Sequence, residues 1–576
     1  MRRHRLSHLL FLVAAFWLLV GCTQASARPT PAVPTPSVAS PTPARPIGTP
    51  SDGSKSVLNV GLPSLGGEVW TPGQAAEEEA QALWFLTGDP ILGVESLTGT
   101  AIAATRSLAS EWKVYSPGET PNILDLRLRA GVQFHKGFGE MTGEDFKFTV
   151  ERLIEEGSKN PAAPSLRRLL KGNTDAVTLP ETHLVRVKPP IPETGMEWFF
   201  SVMEGFYAVV SRAAWEQAGA EGFAQRPVST GPFEFVEHVQ GERIALRAVV
   251  SHWRKVPSFS LVNVWRVPEE KTRVAMLMAG QLDVTPISTA SKDQVETERD
   301  IRILRVPRAG EISVILGGQY LPSRSTYGGR PPYESPWVGL DEKAKAVRKA
   351  LNLAVDREAL LQEALAGEGR ITGVPHLMDV IGTPWYDSGW RPYPYQPNEA
   401  RRLLSEAGYA EGFPIKAVRF SSAPDSRMAG VMERMAGYWE RVGIRVSWEP
   451  FDYTQEWQER LARRQNSGYA YPVFEASYPE PYMYLECCYH SLAPVAHWEF
   501  ELLDRRITAE LRRSDHQPTR AAVTKEIGSW LYDNYISVPV ASMNALWAVS
   551  SKIELGWRPT AGSTLLTGLE YTSPSR

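Results

Sequence analysis

Residues 23–55 hold eight prolines, Pro29, Pro31, Pro34, Pro36, Pro41, Pro43, Pro46 and Pro50, set among threonine, serine and alanine with almost no large apolar side chain. Such a stretch has nothing to bury and stays extended and semi-stiff. It divides the chain. Every packed core must be built from residues 56–576, and residues 1–22 stand apart in front of the spacer.

The leading segment has its own logic. Arg2, Arg3 and Arg5 make a positive start, and Leu9 to Val20 is a continuous apolar run. The run is shorter than the roughly twenty residues a bilayer-spanning helix needs, which is the pattern of a secretory signal. It closes on Leu19-Val20-Gly21-Cys22. That tetrapeptide resembles the bacterial lipobox, in which the cysteine is lipidated and becomes the mature N-terminus. The expectation is a protein outside the cytoplasm, anchored to the cell membrane by lipid on Cys22, with the spacer as its tether.

More than five hundred residues remain, beyond what one core organises, so two or three subdomains are expected. Hydrophobic content of 43% and charged content of 22% fit a globular chain. The net charge is −3, and three of the positive charges lie in the first five residues, so the rest is more acidic still. A nucleic-acid binder needs a basic stripe, and none is present. Three cysteines, Cys22, Cys487 and Cys488, are too few for a disulfide framework. Most of the eighteen tryptophans are expected in the core.

Local patterns mix strands and helices. Alternation from Ser56 to Leu62 predicts a first strand, and Leu124 to Leu128 a second, ending at Gly131. Thr142 and Asp145 form a capping box ahead of Phe146, Val150, Leu153 and Ile154 on one helical face. Asp356 is placed to cap a helix running to Leu365, and Asn398 one that stops at Gly408. Met428, Val431, Met432, Met435, Trp439 and Val442 make an apolar stripe whose plain meaning is core packing. Gly443 ends it and a strand follows over Ile444–Trp448. No internal repeat is found, so the fold class is α/β or α+β.

Five segments, in order, carry a resemblance. They are Leu108-Ala109-Ser110-Glu111-Trp112 with Leu126 to His135 and Thr142-Gly143-Glu144-Asp145; Ser229-Thr230-Gly231-Pro232-Phe233 with Gly241 to Leu246 and His252-Trp253; Glu269 to Arg273 with Met278 to Val284; Val347 to Arg357; and Pro397-Asn398-Glu399-Ala400 with Leu403 to Tyr409. Together they resemble the peptide/nickel-type (family 5) extracellular solute-binding proteins. The resemblance implies an α/β, two-lobed periplasmic-binding-protein clamshell of type II, the large cluster with an extra inserted subdomain. The implied order is a signal peptide at 1–22, the linker at 23–55 and lobe I starting at 56–100. The inserted subdomain follows at 101–190, then the second part of lobe I at 191–290, lobe II at 291–535 and the end of lobe I at 536–576. It implies a monomer without cofactor that captures a small solute, peptide-like, oligosaccharide or another metabolite, for an ABC permease and ATPase. The rival classes are a secreted lipid-anchored hydrolase and a non-transport receptor or chaperone on the same clamshell. No GxxxxGK[ST], GxGxxG, HExxH or GxSxG motif supports catalysis.

Peptide-binding relatives carry an aspartate for the peptide's amine in a segment matched here by Phe474 to Pro481. The aspartate position holds Ser477, whose hydroxyl brings no charge to a buried ammonium. Glu475, two residues earlier, points the same way if the segment is extended. The resemblance places the cleft walls at Gly66 to Leu86 and Phe474 to Tyr489. Within them Trp70, Trp84 and Phe85 are candidates to stack on a flat ligand, and Glu475, Ser477, Tyr478 and Tyr482 to fix polar atoms. Downstream, Cys487-Cys488-Tyr489-His490 and His497 admit three readings: a vicinal disulfide, a soft-metal site, or two buried thiols with two surface histidines. Adjacent cysteines rarely both reach one metal, so no metal site is assigned.

Overall fold

The computed structural model describes residues 57–575, apart from 77–82, 95–101, 116–122, 191–194, 203–204, 322–334, 375–376, 378–383, 422, 424, 476–484, 486–488, 492, 494–495, 512–516, 558–565 and 567. The first strand, β1 (Val57–Leu62), starts where the proline-rich spacer has ended. Four strands, β2 (Ala109–Tyr115), β3 (Ile123–Leu128), β4 (Val177–Glu181) and β5 (Leu184–Val187), form a separate antiparallel sheet in the order β2-β3-β5-β4. The Gly143–Leu153 helix connects them, opened by the Thr142/Asp145 capping box, with Phe146, Val150 and Leu153 buried.

Ten further strands join β1 in one mixed sheet. They are β6 (Phe233–Val239), β7 (Arg243–Ala248), β8 (Leu261–Arg266), β9 (Val284–Ile287), β10 (Ile301–Leu316), β11 (Gly369–Ile371), β12 (Pro414–Ser421), β13 (Arg445–Asp452), β14 (Tyr469–Glu475) and β15 (Ser537–Ser550). The order is β13-β12-β14-β10-β15-β9-β1-β8-β7-β6, with β11 also against β15. A hairpin of β16 (Ile553–Leu555) and β17 (Thr572–Pro574) brings the C-terminus back.

This order makes two lobes. β10 and β15 are the longest strands, at 16 and 14 residues, and they lie antiparallel to each other. At one end β15 pairs with β9, which leads to β1. At the other end β10 pairs with β14 and β15 with β11. The second lobe has its own core. Ile312, Val314 and Leu316 of β10 meet Met428, Val431, Met432, Met435 and Trp439 of the Arg427–Glu440 helix there. The methionine stripe is thus packed inside, and Gly443 (φ +96°) ends the segment as expected. Asp356 caps its helix by accepting from the Ala359 N–H at 3.0 Å. The helix expected to be capped by Asn398 begins two residues earlier. Pro397 takes its first position and Gln396 its cap, because proline's fixed φ and missing N–H suit the first turn.

Candidate functional site at the lobe seam

The sheet changes lobe at an irregularity in β10. Val306 pairs with Ala545 and Gly310 with Met543, so three residues of β10 (Pro307, Arg308 and Ala309) face a single residue of β15, Asn544. Pro307 has no N–H to give the ladder. Arg308 sits at φ +65°, in the left-handed region that costs a residue bearing a Cβ about 1 kcal/mol or more. Gly310 follows because the Phe474 ring occupies the place a Cβ would take. β15 has its own extra residue a little further on, Val540, between the Ile312–Ala541 and Ser313–Pro539 pairs.

Beside this bend four polar side chains line up across four strands. Glu475 is opposite Glu311, Glu311 opposite Ser542, and Ser542 opposite Arg370. Directly opposed residues share a sheet face, so the row is on one side. Glu311 is buried, with the Thr372 hydroxyl 3.4 Å from its carboxylate. Glu475 accepts from the ring of His497 at 3.1 Å. The partners fix that histidine's protons. Asn466 donates to the Tyr471 hydroxyl at 3.0 Å, so Tyr471 turns its own proton to His497 Nδ1 at 3.1 Å, leaving Nε2–H for Glu475. Burial holds the Tyr471 phenol well above its ordinary range, which keeps that proton in place. The Tyr489 phenol is raised likewise, by burial first and then by the charges of Glu475 and Glu311.

The residues singled out from the sequence fall in different places. Glu475 stands in the row, at the end of β14. Ser477, Tyr478, Tyr482, Cys487 and Cys488 lie outside the described residues, as do Cys22 and the spacer. Trp70, Trp84 and Phe85 are all core rings. Trp70 meets the His238 ring at 4.5 Å and Phe235 at 6.1 Å, and Phe85 meets Tyr207 edge-on at 5.2 Å. None of the three offers a face to solvent; the loop after β1, which carries Trp70, is fastened inward by Glu68, which accepts from His238 at 2.5 Å and from the Gly241 N–H. His490 and His497 are buried as well, rather than on the surface, since Thr508, Tyr471 and Glu475 supply partners. Among the described residues no group of three or more histidine, cysteine or acidic side chains is placed to hold a metal.

Sequence reasoning missed Glu311. The available signal was a lone acidic residue inside the apolar run from Ala309 to Leu316. It also missed a buried ionic chain in the first lobe. Asp89 takes Arg254 at 2.7 Å, the Trp253 indole at 2.9 Å, Thr230 at 3.0 Å and His252 at 3.1 Å. Glu570, from the C-terminal end, takes Arg254 at 2.9 Å and Arg106 at 3.0 Å. Burial alone would raise the Asp89 carboxyl, but Arg254 and His252 outweigh it and hold it far below the carboxylate range.

The family model for bacterial extracellular solute-binding proteins, family 5, matches residues 104–493. The chain belongs to that family. Family 5 proteins are extracytoplasmic, and no helix among the described residues is long and apolar enough to cross a membrane. Two curated relatives are similar in sequence. One is heme-binding protein A of Haemophilus influenzae, 27% identical over 395 residues, 64% of this chain and 65% of that protein. The other is the glutathione-binding protein GsiB of Escherichia coli, 28% identical over 370 residues, 63% of this chain and 64% of that protein. The alignments therefore span just under two thirds of the relatives' length. Among solved structures, HbpA2 from Haemophilus parasuis superposes with a TM-score of 0.72, covering 90% of this chain and all of that one at 17% identity. The likeness fixes the fold of this family 5 chain as the two-lobed clamshell.

Proposed function

We propose that this family 5 protein is the substrate-binding component of an ABC importer. It captures a small solute outside the membrane and passes it unchanged to a permease served by an ATPase. The observation that carries the reading is the seam: two strands link the lobes, one is bent, and a row of polar side chains, with Glu311 and Ser542 buried at its middle, lies beside the bend. A clamshell that closes there brings a ligand to groups already partnered and oriented, the arrangement expected of a binding site between lobes. The relatives named for heme and glutathione show how different the cargo of this scaffold is, and the solute here is peptide-like, an oligosaccharide or another metabolite. Glu475 with Ser477, Tyr478 and Tyr482 forms one wall, while the Trp70–Phe85 stretch supports the other from within. The protein acts as a monomer, tethered through lipid on Cys22 by the proline-rich spacer.

The test is a solute screen read by thermal melting and small-angle scattering. A ligand at about one hundred times its Kd stabilises the folded state by about 2.7 kcal/mol. The expected result is a rise in melting temperature together with a smaller radius of gyration. A tightly bound solute that leaves the scattering unchanged refutes closure, and turnover of the solute refutes simple binding.

A further inference from the structure

On the edge of the sheet, at the level of the β10 bend, a second polar assembly joins the lobes. It is centred on Glu368, in the turn between the Arg357–Leu365 helix and β11. The turn is built to hold that residue still. Ala366 (φ +52°) ends the helix in the left-handed region and Gly367 (φ +72°) continues the reversal. Gly369 then passes so close to the Ser542 carbonyl that a Cβ would meet it at 2.5 Å. Glu368 is buried, and every polar atom of its carboxylate is engaged.

Its partners come from the other side of the seam. Lys292 is on the Lys292–Glu296 helix, which packs under β10 on the first-lobe side of the bend, with Val295 against Leu282 and Ile287, although the second lobe was expected from residue 291; it reaches Glu368 at 2.9 Å and also approaches the Ala366 carbonyl at 3.4 Å. Arg305, on β10 just before the bend, reaches both oxygens at 3.1 and 3.2 Å. Asn544, the one residue of β15 opposite the bulge, donates its amide at 3.1 Å. Arg305 is braced in turn by Glu296, and Arg427, paired with Asp425, sits on the Asn544 carbonyl at 3.4 Å. The first-lobe helix, both crossing strands and the second-lobe turn thus converge on one carboxylate. No apolar packing of the two cores requires a charge there, and a buried carboxylate is costly unless it is paired.

We propose that Glu368 is an interlobe latch: its ion pairs to Lys292 and Arg305 hold the lobes in the arrangement seen here, and their loss frees the β10 bend. Residues beside the polar row, but engaged with partners of their own, then set how strongly this arrangement is favoured. Closure on a ligand must keep or break these pairs, so the latch contributes to the apparent affinity without touching the ligand. The proposal rests on the reading of the molecule as a clamshell that moves.

The test compares ligand-free full-length wild type with Glu368→Gln and Lys292→Met. Spin labels are attached through unnatural amino acids at the exposed positions Arg247 and Arg402, one on each lobe, and interlobe distances are read by pulsed electron resonance. Both variants are expected to show a population of distances absent from the wild type. The exchanged pair Lys292→Glu with Glu368→Lys is expected to return the distribution toward the wild-type one. Distributions that coincide in wild type and both variants overturn the latch. So does a variant that loses melting temperature with no change in distance, because Glu368 is then only a structural pair. The solute screen on wild type decides the transport reading separately, so a failed latch and a failed function are told apart. Should Glu368→Gln not fold, Lys292→Met, which changes the rim of the cluster, still answers the question.

Discussion

Replacing Glu570 by glutamine tests whether the C-terminal end of the chain is fastened by charge. The residue is wholly buried, and one carboxylate oxygen serves two guanidinium groups, Arg106 at 3.0 Å and Arg254 at 2.9 Å. Arg254 keeps Asp89 as a partner after the change, whereas Arg106 loses its ion pair with Glu570. Removing one member of a buried pair costs about 3–5 kcal/mol, and the retained Asp89 contact puts this case near the lower figure, about 3 kcal/mol. Unfolding entropy of about 2 cal/mol/K per residue over about 520 folded residues gives about 1.1 kcal/mol/K, so the melting temperature falls by about 3 °C. The assay is calorimetry at pH 7 on wild type, Glu570→Gln and the double variant Arg106→Met/Glu570→Gln. The double variant is expected to recover part of the loss, since the guanidinium that faced Glu570 is gone as well. A single variant that melts within half a degree of wild type refutes the reasoning: it would mean that water already solvates these charges.

Three further outcomes follow from the same geometry. Asp89 is held far below its unfolded value near 3.9, so its stabilisation is complete above that value and is lost as pH falls toward the folded one; the melting gap between wild type and Asp89→Asn is expected to be constant from about pH 5 to 8 and to narrow below about pH 4, and a gap unchanged down to pH 2 contradicts this. Gly437 lies inside the Arg427–Glu440 helix, where an added Cβ meets nothing within 4 Å, so Gly437→Ala is expected to stabilise by about 0.8–1 kcal/mol, read as a melting shift of about 1 °C upward. Ser477→Asp restores the charge that peptide-binding relatives offer a free amine, and calorimetry against dipeptides is expected to show binding at least tenfold tighter than wild type; equal affinity means that Ser477 does not face the solute.

Most of the scaffold was legible because its signals are local. Thr142 with Asp145, Asp356 ahead of Leu365, and the stripe from Met428 to Trp439 each need only a turn or two of helix to declare themselves. Asn398 misled because a good capping residue stood beside a proline that fits the first helical position better. The site was less legible because its chemistry is assembled over long separations. Glu475 meets Glu311 from 164 positions away and, at the far extreme, Arg106 meets Glu570 across 464. No spacing rule reaches so far. His490 and His497 read as surface residues because their partners, Thr508 and the Tyr471–Glu475 pair, become neighbours only once the strands have packed.

The crossing of the seam by two adjacent antiparallel strands has a consequence for how such molecules diversify. The chain leaves the first lobe along β10 and comes home along β15, side by side. Everything between them is, in effect, a cassette whose two ends are neighbours. A different second lobe can be spliced in by matching only two strand ends, leaving β1, β8 and β9 untouched on their own partners. The Glu368 turn travels with such a cassette, whereas Lys292, Arg305 and Asn544 stay behind when the cuts fall at the β10 bend. A graft that also carries residues 292–311 and Asn544 is expected to fold with a matched seam. One cut at the bend would join a foreign side chain to Lys292 and Arg305, or leave both cations without their shared carboxylate.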